Sequence, residues 1–216
     1  AGTAIIAGGS YGSGWPPQQC ACVEVYNGSS WSEVNDIIRG NSDQAASYAT
    51  FAGDSSAGLF FGGNTGYTEE WNGTNWTEVN DTEAGLSYKA GGGGESSEAA
   101  IFVGHTYGGR STQWNGTNWS EISDMINLGS PGRQGSSFGT SNSFLIGGGG
   151  SAPVCFLCTE IWNGSNWSTA NAMIIAVDRG AGMGTTNDGV IATGHDATTP
   201  YHSRVATNAS NVCDGT

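Results

Sequence analysis

Three histidines, His105, His195 and His202, are the side chains in this sequence that titrate near neutral pH and could act as general acids or bases. His105 and His195 follow equivalent apolar runs, "AIFVGH" and "VIATGH", and equivalent positions of a repeat need not converge on one site. The sequence has no nucleophile elbow and no HExxH. "GGGG" at 91–94 and 147–150 lacks a following Lys-Ser/Thr, so we interpret both runs as turns. We therefore expect no catalytic residue, no metal site and no cofactor: the protein is not an enzyme.

The cysteines could form disulfides or hold zinc, and they are Cys20, Cys22, Cys155, Cys158 and Cys213. If the chain closes into a ring, Cys213 is placed to bond Cys20 or Cys22, and closing a loop of about 190 residues would stabilise by ~4–5 kcal/mol. Cys155 and Cys158 could pair locally, which leaves one thiol over. The alternative is zinc held by "CAC" and "CFLC", but the CxC spacing fits zinc poorly. Disulfides are favoured, and they imply an oxidising compartment.

One aromatic hexapeptide recurs through the chain, as "YNGSSW", "WNGTNW", "WNGTNW" and "WNGSNW". The copies start at Tyr26, Trp71, Trp114 and Trp162, at spacings of 45, 43 and 48 residues. A fifth, eroded copy is "TNASNV" at 207–212, with Thr207 and Val212 in place of the two tryptophans. Apolar runs ending in glycine, such as "AIIAGG" and "LFFGG", keep the same period. Two landmarks in step indicate an internal repeat.

Each period predicts four strands. Asn-Gly favours a tight hairpin turn, and Trp71 and Trp76 would clamp the two strands that the turn joins. We expect Trp76, Trp119 and Trp167 in outer strands. The small-residue segments 46–53, 86–91, 134–139 and 179–184 are expected to be inner strands that line a central channel. Four antiparallel strands in 43–48 residues is typical of a β-propeller blade.

The pattern of an apolar strand ending in Gly-Gly, a Glu-aromatic strand, a turn and a tryptophan resembles the kelch motif. The tandem "TEEWNGTNWTEV" is similar to kelch-like repeats of marine phage structural and tail-fibre proteins and of bacterial surface proteins. The resemblance covers nearly the whole chain and implies a propeller fold, which hosts many functions. The third and fifth copies depart from it, with "GH" for the double glycine.

The expected fold is all-β, a five-bladed kelch-like propeller of four-stranded antiparallel blades in which the first blade lacks its inner strand because the chain starts too late. A four-bladed ring, with residues 179–186 completing the first blade, is the alternative. We expect one domain over 1–216, with repeats at approximately 1–38, 39–83, 84–126, 127–174 and 175–216.

Charge restricts the partners. Six Lys and Arg against 19 Asp and Glu give a net charge of −13, which argues against nucleic acid. No apolar run reaches the ~18–20 residues that span a bilayer, so no membrane insertion is expected. Nine sequons are candidates for N-glycosylation, although hairpin turns alone explain most of them: Asn27, Asn72, Asn75, Asn80, Asn115, Asn118, Asn163, Asn166 and Asn208.

Two functions fit these features. The first is a non-enzymatic, extracellular, cell-surface or virion subunit that self-associates into a fibre or appendage and contacts a surface. The second is a lectin-like propeller that binds cell-surface carbohydrate through repeated aromatic sites. Insertions at 10–20 and 151–156 break the repeat and favour the first. The candidate interface or glycan contacts are Trp15, Tyr26, Trp71, Trp114 and Trp162.

Overall fold

The computed structural model describes residues 2–11, 18–39, 49–63, 65–82, 91–104, 109–126, 135–149, 157–178, 180–192, 195–196 and 210–213. All regular structure in these residues is β-strand, which confirms the predicted all-β class. Trp15, His105, His202, Cys155 and Asn208 lie outside the described residues. In the described part of the chain, no helix is long and apolar enough to cross a membrane.

The strands follow in chain order as β1 (Ala4–Ala7), β2 (Ser10–Tyr11), β3 (Gln18–Gln19), β4 (Val23–Tyr26), β5 (Trp31–Val34), β6 (Ala49–Gly53), β7 (Gly58–Gly62), β8 (Tyr67–Trp71), β9 (Trp76–Glu78), β10 (Gly91–Ser96), β11 (Ala99–Val103), β12 (Ser111–Trp114), β13 (Trp119–Ile122), β14 (Ser136–Thr140), β15 (Ser143–Gly147), β16 (Thr159–Trp162), β17 (Trp167–Thr169), β18 (Val177–Asp178), β19 (Ala181–Thr185), β20 (Asp188–Ala192), β21 (His195–Asp196) and β22 (Ser210–Cys213).

These strands form five successive antiparallel sheets. The second, third and fourth sheets have four strands each, in the orders β6-β7-β8-β9, β10-β11-β12-β13 and β14-β15-β16-β17. The first sheet is β1-β4-β5 and the fifth is β19-β20-β22. Short ladders, β2–β3 and β18–β21, lie in connections. The predicted unit of four antiparallel strands is therefore confirmed in three sheets, and the arrangement is that of a multi-blade propeller.

The described strands do not close the ring. No sheet among the described residues combines strands of the first and fifth sheets. β1 pairs with β4 in the first sheet as β7 pairs with β8 in the second sheet. β1 is therefore the equivalent of the second strand of a four-stranded sheet. The first sheet thus has no described strand at the inner position; that the first blade lacks this strand altogether stays a prediction.

The inner strands β6, β10, β14 and β19 contact one another in succession. Three of them fall on the predicted segments, but the prediction for the second inner strand, β10, was wrong. Residues 86–91 were expected, whereas β10 covers Gly91–Ser96 and includes the "GGGG" run interpreted as a turn. Packing explains the difference: a Cβ on Gly91 would lie 2.4 Å from Ser137 Oγ, and one on Gly93 would lie 3.0 Å from the Phe144 ring. Glycine lets neighbouring inner strands approach this closely.

The hydrophobic core lies between neighbouring sheets. Leu59 and Phe61 of the second sheet pack with Phe102 and Trp114 of the third. Ile101 of the third sheet packs with Phe144 and other residues of the fourth. Consecutive sheets therefore bury their facing sides against each other, as stacked layers require.

The outer strands begin at the second tryptophan of each hexapeptide, as predicted. Trp76, Trp119 and Trp167 open β9, β13 and β17, each of which is the last strand of its sheet. Their rings lie 5.1, 5.5 and 5.6 Å from those of the paired tryptophans, which are Trp71, Trp114 and Trp162. The cross-strand aromatic clamp is confirmed.

The fifth hexapeptide was predicted in the wrong register. Val212, expected after the hairpin turn, lies in β22 and pairs with Val190 of β20. Cys213 pairs with Gly189 as Trp162 pairs with Phe144 in the fourth sheet. Cys213 therefore stands where the other copies have their first aromatic residue, and "CDGT" from Cys213 aligns with "WNGT" from Trp71.

The predicted bond from Cys213 to Cys20 or Cys22 is also wrong, because those two cysteines are bonded to each other. The Cys20 N–H donates to Gly9 O at 3.0 Å, and Cys22 O accepts from Gly8 N at 3.0 Å. The two Cα atoms lie 5.2 Å apart, within the range of a disulfide. The bond removes both "CAC" thiolates from the alternative zinc site. Cys158 is disulfide-bonded as well.

Candidate functional site

The first sheet ends in a strand that lacks a described partner on its inner side. β1 pairs with β4 alone, from Ala4 opposite Tyr26 to Ala7 opposite Val23. In the second, third and fourth sheets the corresponding strand is paired on both sides. An unpaired edge presents a row of backbone N–H and C=O groups to another strand. The β1 sequence, AIIA, contains none of the charges or prolines that block such pairing.

The side chains of β1 are more exposed than those at the same positions elsewhere. Ile6 pairs with Glu24 as Phe60 pairs with Glu69. Ile6 is 58% exposed, whereas Phe60 is 4% exposed. The open edge therefore carries an apolar side chain that a further strand or sheet would cover. We call β1 with Ile6 the open edge, where open means that no described strand pairs with the inner side of β1.

The first tryptophan of each hexapeptide is inaccessible. Trp71, Trp114 and Trp162 are at most 2% exposed. Their indole N–H groups donate to backbone carbonyls of the preceding inner turn, those of Ser55, Ser97 and Ser141, at 3.0, 2.8 and 3.1 Å. A buried, hydrogen-bonded indole cannot stack on a sugar. The prediction that these three residues contact glycans or an interface is therefore wrong, and they are core residues.

The first hexapeptide differs from the other three. Tyr26 is half-buried and Trp31 is 46% exposed, with their ring centroids 5.3 Å apart. The Tyr26–Trp31 pair is the most exposed of the four aromatic pairs, because no described sheet lies before the first sheet to cover it. Tyr26 thus remains accessible for contact, which its sequence position alone did not distinguish.

The hexapeptide asparagines hold the turns. The Oδ1 atoms of Asn27, Asn72, Asn115 and Asn163 each accept two backbone N–H groups, from the residues two and three positions later. Asx turns of this kind need asparagine or aspartate. Turn formation therefore accounts for four of the nine sequons. Glycosylation of these tips stays a prediction.

A second set of asparagines links neighbouring sheets. Asn35 Nδ2, beyond β5, donates to Thr74 O at 2.8 Å and to Asn75 Oδ1 at 3.0 Å in the next hairpin. Asn80 Nδ2 repeats these contacts one sheet on, with Thr117 O and Asn118 Oδ1, both at 2.9 Å. The Asn80 amide was a candidate for glycosylation. Its nitrogen is occupied by a link between sheets.

Two buried carboxylates, Glu69 and Glu160, were missed by the sequence analysis. They are 1% and 0% exposed. Glu69 accepts the backbone N–H groups of Ile38 and Arg39, both at 2.8 Å. Glu160 accepts that of Ile126 at 2.7 Å. Each therefore holds the segment that enters its sheet from the preceding one. The sequence does contain a sign of this burial. Each glutamate stands two residues before a buried tryptophan in the same strand, and strand alternation places both side chains on the same face of the sheet.

Arg39 completes the environment of Glu69. Its guanidinium lies 3.8 Å from Glu69 Oε1 and 2.8 Å from Asp81 Oδ1, and it covers the Tyr67 ring at 4.1 Å. Burial raises the pKa of Glu69, and this desolvation outweighs the backbone donors and Arg39, which act in the opposite direction. The cluster is built to join two sheets.

Of the three histidines, His195 alone lies within the described residues. His195 lies in β21, in a ladder with β18. No group of three or more His, Cys, Asp or Glu within the described ranges is arranged to hold a metal ion.

Similarity to known structures is confined to the fold. Comparison with protein families and with curated proteins gives no match. A solved structure titled "Structure of YjhT" superposes with a TM-score of 0.74 at 12% identity, over 98% of this chain and 78% of that one. In all, 114 chains of solved structures match, so the fold is widespread and points to no single activity.

Proposed function

We propose that this protein is a non-enzymatic structural subunit that associates with copies of itself into a fibre or appendage and contacts a surface. The open edge carries this proposal, since β1 has one described partner where its counterparts have two. Strand addition there would satisfy the backbone groups of β1 and cover Ile6. A strand of a second copy supplies both.

The alternative of a lectin is less well supported. A multivalent lectin needs one accessible aromatic site in each repeat, but in three of the four hexapeptides the first aromatic residue is a core residue. Among the aromatic pairs of the four described hexapeptides, only the Tyr26–Trp31 pair has a ring that is largely exposed. A single aromatic pair fits one contact to a surface better than repeated sugar binding.

The location that we propose is outside the cell, at a cell surface or in a virion. The Cys20–Cys22 bond supports it, because disulfides persist in oxidising compartments. The repeated links between sheets also suit a subunit that must keep its shape under load. Each link is a set of hydrogen bonds in which both partners are satisfied.

Sedimentation velocity over a range of concentrations tests the proposal. The unmodified protein is expected to form oligomers, and Ile6→Lys should weaken their association at least tenfold, because a charge on an exposed edge opposes pairing. Ser32→Lys adds the same charge to the outer strand of the same sheet and should leave association unchanged. A protein that is monomeric at every concentration, or oligomers that are indifferent to Ile6→Lys, would overturn the proposal.

A further inference from the structure

The disulfide between Cys20 and Cys22 lies in the connection from β3 to β4. Three residues of this chain segment, 20–22, stand between the β2–β3 ladder and the β1–β4 ladder, whereas two residues, 8–9, stand between the same ladders on the opposite segment. An extra residue on one of two antiparallel segments is the mark of a β-bulge. A regular strand separates Cα atoms two residues apart by about 6.6 Å, but those of the two cysteines lie 5.2 Å apart.

The two cysteines lie on the side of this segment that faces away from the core. Ala21, between them, is buried in the core of the first two sheets, and its C=O accepts the Ile37 N–H at 3.0 Å. Cys22 is exposed and Cys20 is half-buried. The Cys20 N–H is bound to Gly9 O, and a Cβ on Gly9 would meet no atom within 4 Å. The surface beside the disulfide is therefore open, and Cys22 is the more accessible of its two residues.

The two sulfur atoms also differ in their hydrogen bonding. The Cys22 N–H donates to Cys20 Sγ at 3.2 Å. A hydrogen-bond donor favours the charged form of an acidic group, so it stabilises a thiolate on Cys20. In thiol–disulfide exchange, the sulfur that leaves does so faster when its thiolate is more stable. Accessibility therefore selects Cys22 as the sulfur that is attacked, and hydrogen bonding selects Cys20 as the one that leaves.

Two carboxylates lie on the same side of the sheet as Cys22. Cys22 and Glu24 are both exposed on either side of the buried Val23, so strand alternation places them on one face. Glu24 pairs with Glu33 of β5, which is exposed as well. With a net charge of −13 on the whole chain, a positively charged partner is attracted to this face and a negatively charged one is repelled.

We propose that the Cys20–Cys22 disulfide accepts two electrons from a dithiol carried by a positively charged polypeptide segment. One thiolate of the partner forms a bond to Cys22 Sγ, the Cys20–Cys22 bond breaks, and Cys20 leaves as a thiolate. The partner's second thiolate then attacks the partner's first sulfur, expels Cys22 as a thiolate and closes a disulfide within the partner. The partner is oxidised, and its two electrons and two protons end on the thiols of Cys20 and Cys22. The exchange consumes one dithiol per molecule and does not depend on the proposed self-association.

The test mixes the disulfide-bonded protein, without oxygen, with an equal amount of a reduced peptide that carries two cysteines between lysines. Free thiols are blocked with N-ethylmaleimide and located by mass spectrometry. We expect the peptide to become oxidised, and Cys20 and Cys22 to be labelled at least tenfold faster than Cys158, which is disulfide-bonded elsewhere. The same peptide with glutamates for lysines should react more slowly at low salt, and high salt should remove the difference. The double variant Cys20→Ser, Cys22→Ser should leave the peptide reduced.

The attacked sulfur is identified on the unmodified protein with glutathione, a monothiol that stops at the mixed disulfide. Rapid quenching with acid and peptide mapping should find glutathione on Cys22 at least tenfold more often than on Cys20. This measurement needs no variant, so it holds even if the double variant does not fold. Glutathione on Cys20, labelling of Cys158 as fast as that of Cys22, or a glutamate peptide that reacts as fast as the lysine peptide at low salt would overturn the proposal.

Discussion

Glu69 and Ile38 are joined across two sheets by a hydrogen bond of 2.8 Å from the Ile38 N–H to a carboxylate that is 1% exposed. Glu160 and Ile126 repeat the contact between the third and fourth sheets at 2.7 Å. Between the second and third sheets the corresponding residue of β12 is Thr112, so the carboxylate link is absent there from the described residues. The fold is therefore tied together by buried polar contacts as well as by its core.

Removal of the Glu69 carboxylate should be costly. Glu69→Ala leaves the Ile38 and Arg39 N–H groups without their carboxylate acceptor and removes one of the carboxylates beside the Arg39 guanidinium, which we expect to lower the free energy of unfolding by ~2–4 kcal/mol. Urea denaturation measures the loss. Glu24→Ala is the matched control, because Glu24 holds the same position in the first sheet and is exposed. An equal effect of the two changes would contradict the role given to Glu69.

The pH dependence of stability should also report Glu69. Burial raises its pKa above the ordinary value of 4.5, so its contribution to stability is fully present below about pH 4.5 and is lost as the pH rises through the raised pKa. Unfolding free energies of the unmodified protein and of Glu69→Gln should be compared from pH 4 to 7. The value for the unmodified protein minus that for the variant should fall with rising pH. A difference that grows with pH would refute the assignment.

The tryptophans should separate into two classes. Trp114→Ala removes a buried indole and its hydrogen bond to Ser97 O, and we expect a loss of ~3–5 kcal/mol. Trp31→Ala removes a ring that is 46% exposed and should cost ~1 kcal/mol, near the value of one aromatic pair. Chemical denaturation of both variants checks this. Similar losses would mean that the first hexapeptide is packed like the others.

Replacing an inner-strand glycine by alanine should destabilise the protein, although it adds only a methyl group. Gly91→Ala places a Cβ 2.4 Å from Ser137 Oγ, and we expect ~1–3 kcal/mol of destabilisation from overpacking. Gly2→Ala has open space around the new Cβ and should be neutral. Thermal denaturation of the pair measures the contrast. A stable Gly91→Ala protein would show that β10 and β14 are less close than described.

The sequence predicts the repeating unit well, because turn chemistry and strand alternation are local. The Asn-Gly pair that begins at Asn72 and the tryptophan at Trp76 predict a hairpin, and the same pattern predicts one in the other hexapeptides. The features it mispredicts depend on distant partners. From the sequence alone Gly91 is interpreted as part of a turn, because its packing against Ser137 is not visible there. Cys213 is interpreted as the residue of a ring-closing disulfide, because its pairing with Gly189 is not visible either. Glu69 reads as a surface strand residue, since nothing local shows that Ile38 and Arg39 will reach it.

Amide hydrogen exchange along β1 tests the central claim most directly. The N–H groups of Ile5, Ile6 and Ala7 should be compared in dilute and in concentrated protein. We expect that those facing away from β4 exchange rapidly at low concentration and become protected at least tenfold as the protein associates, whereas the amides of β15, already paired on both sides, keep their rates. Association without added protection in β1 would contradict self-assembly through the open edge.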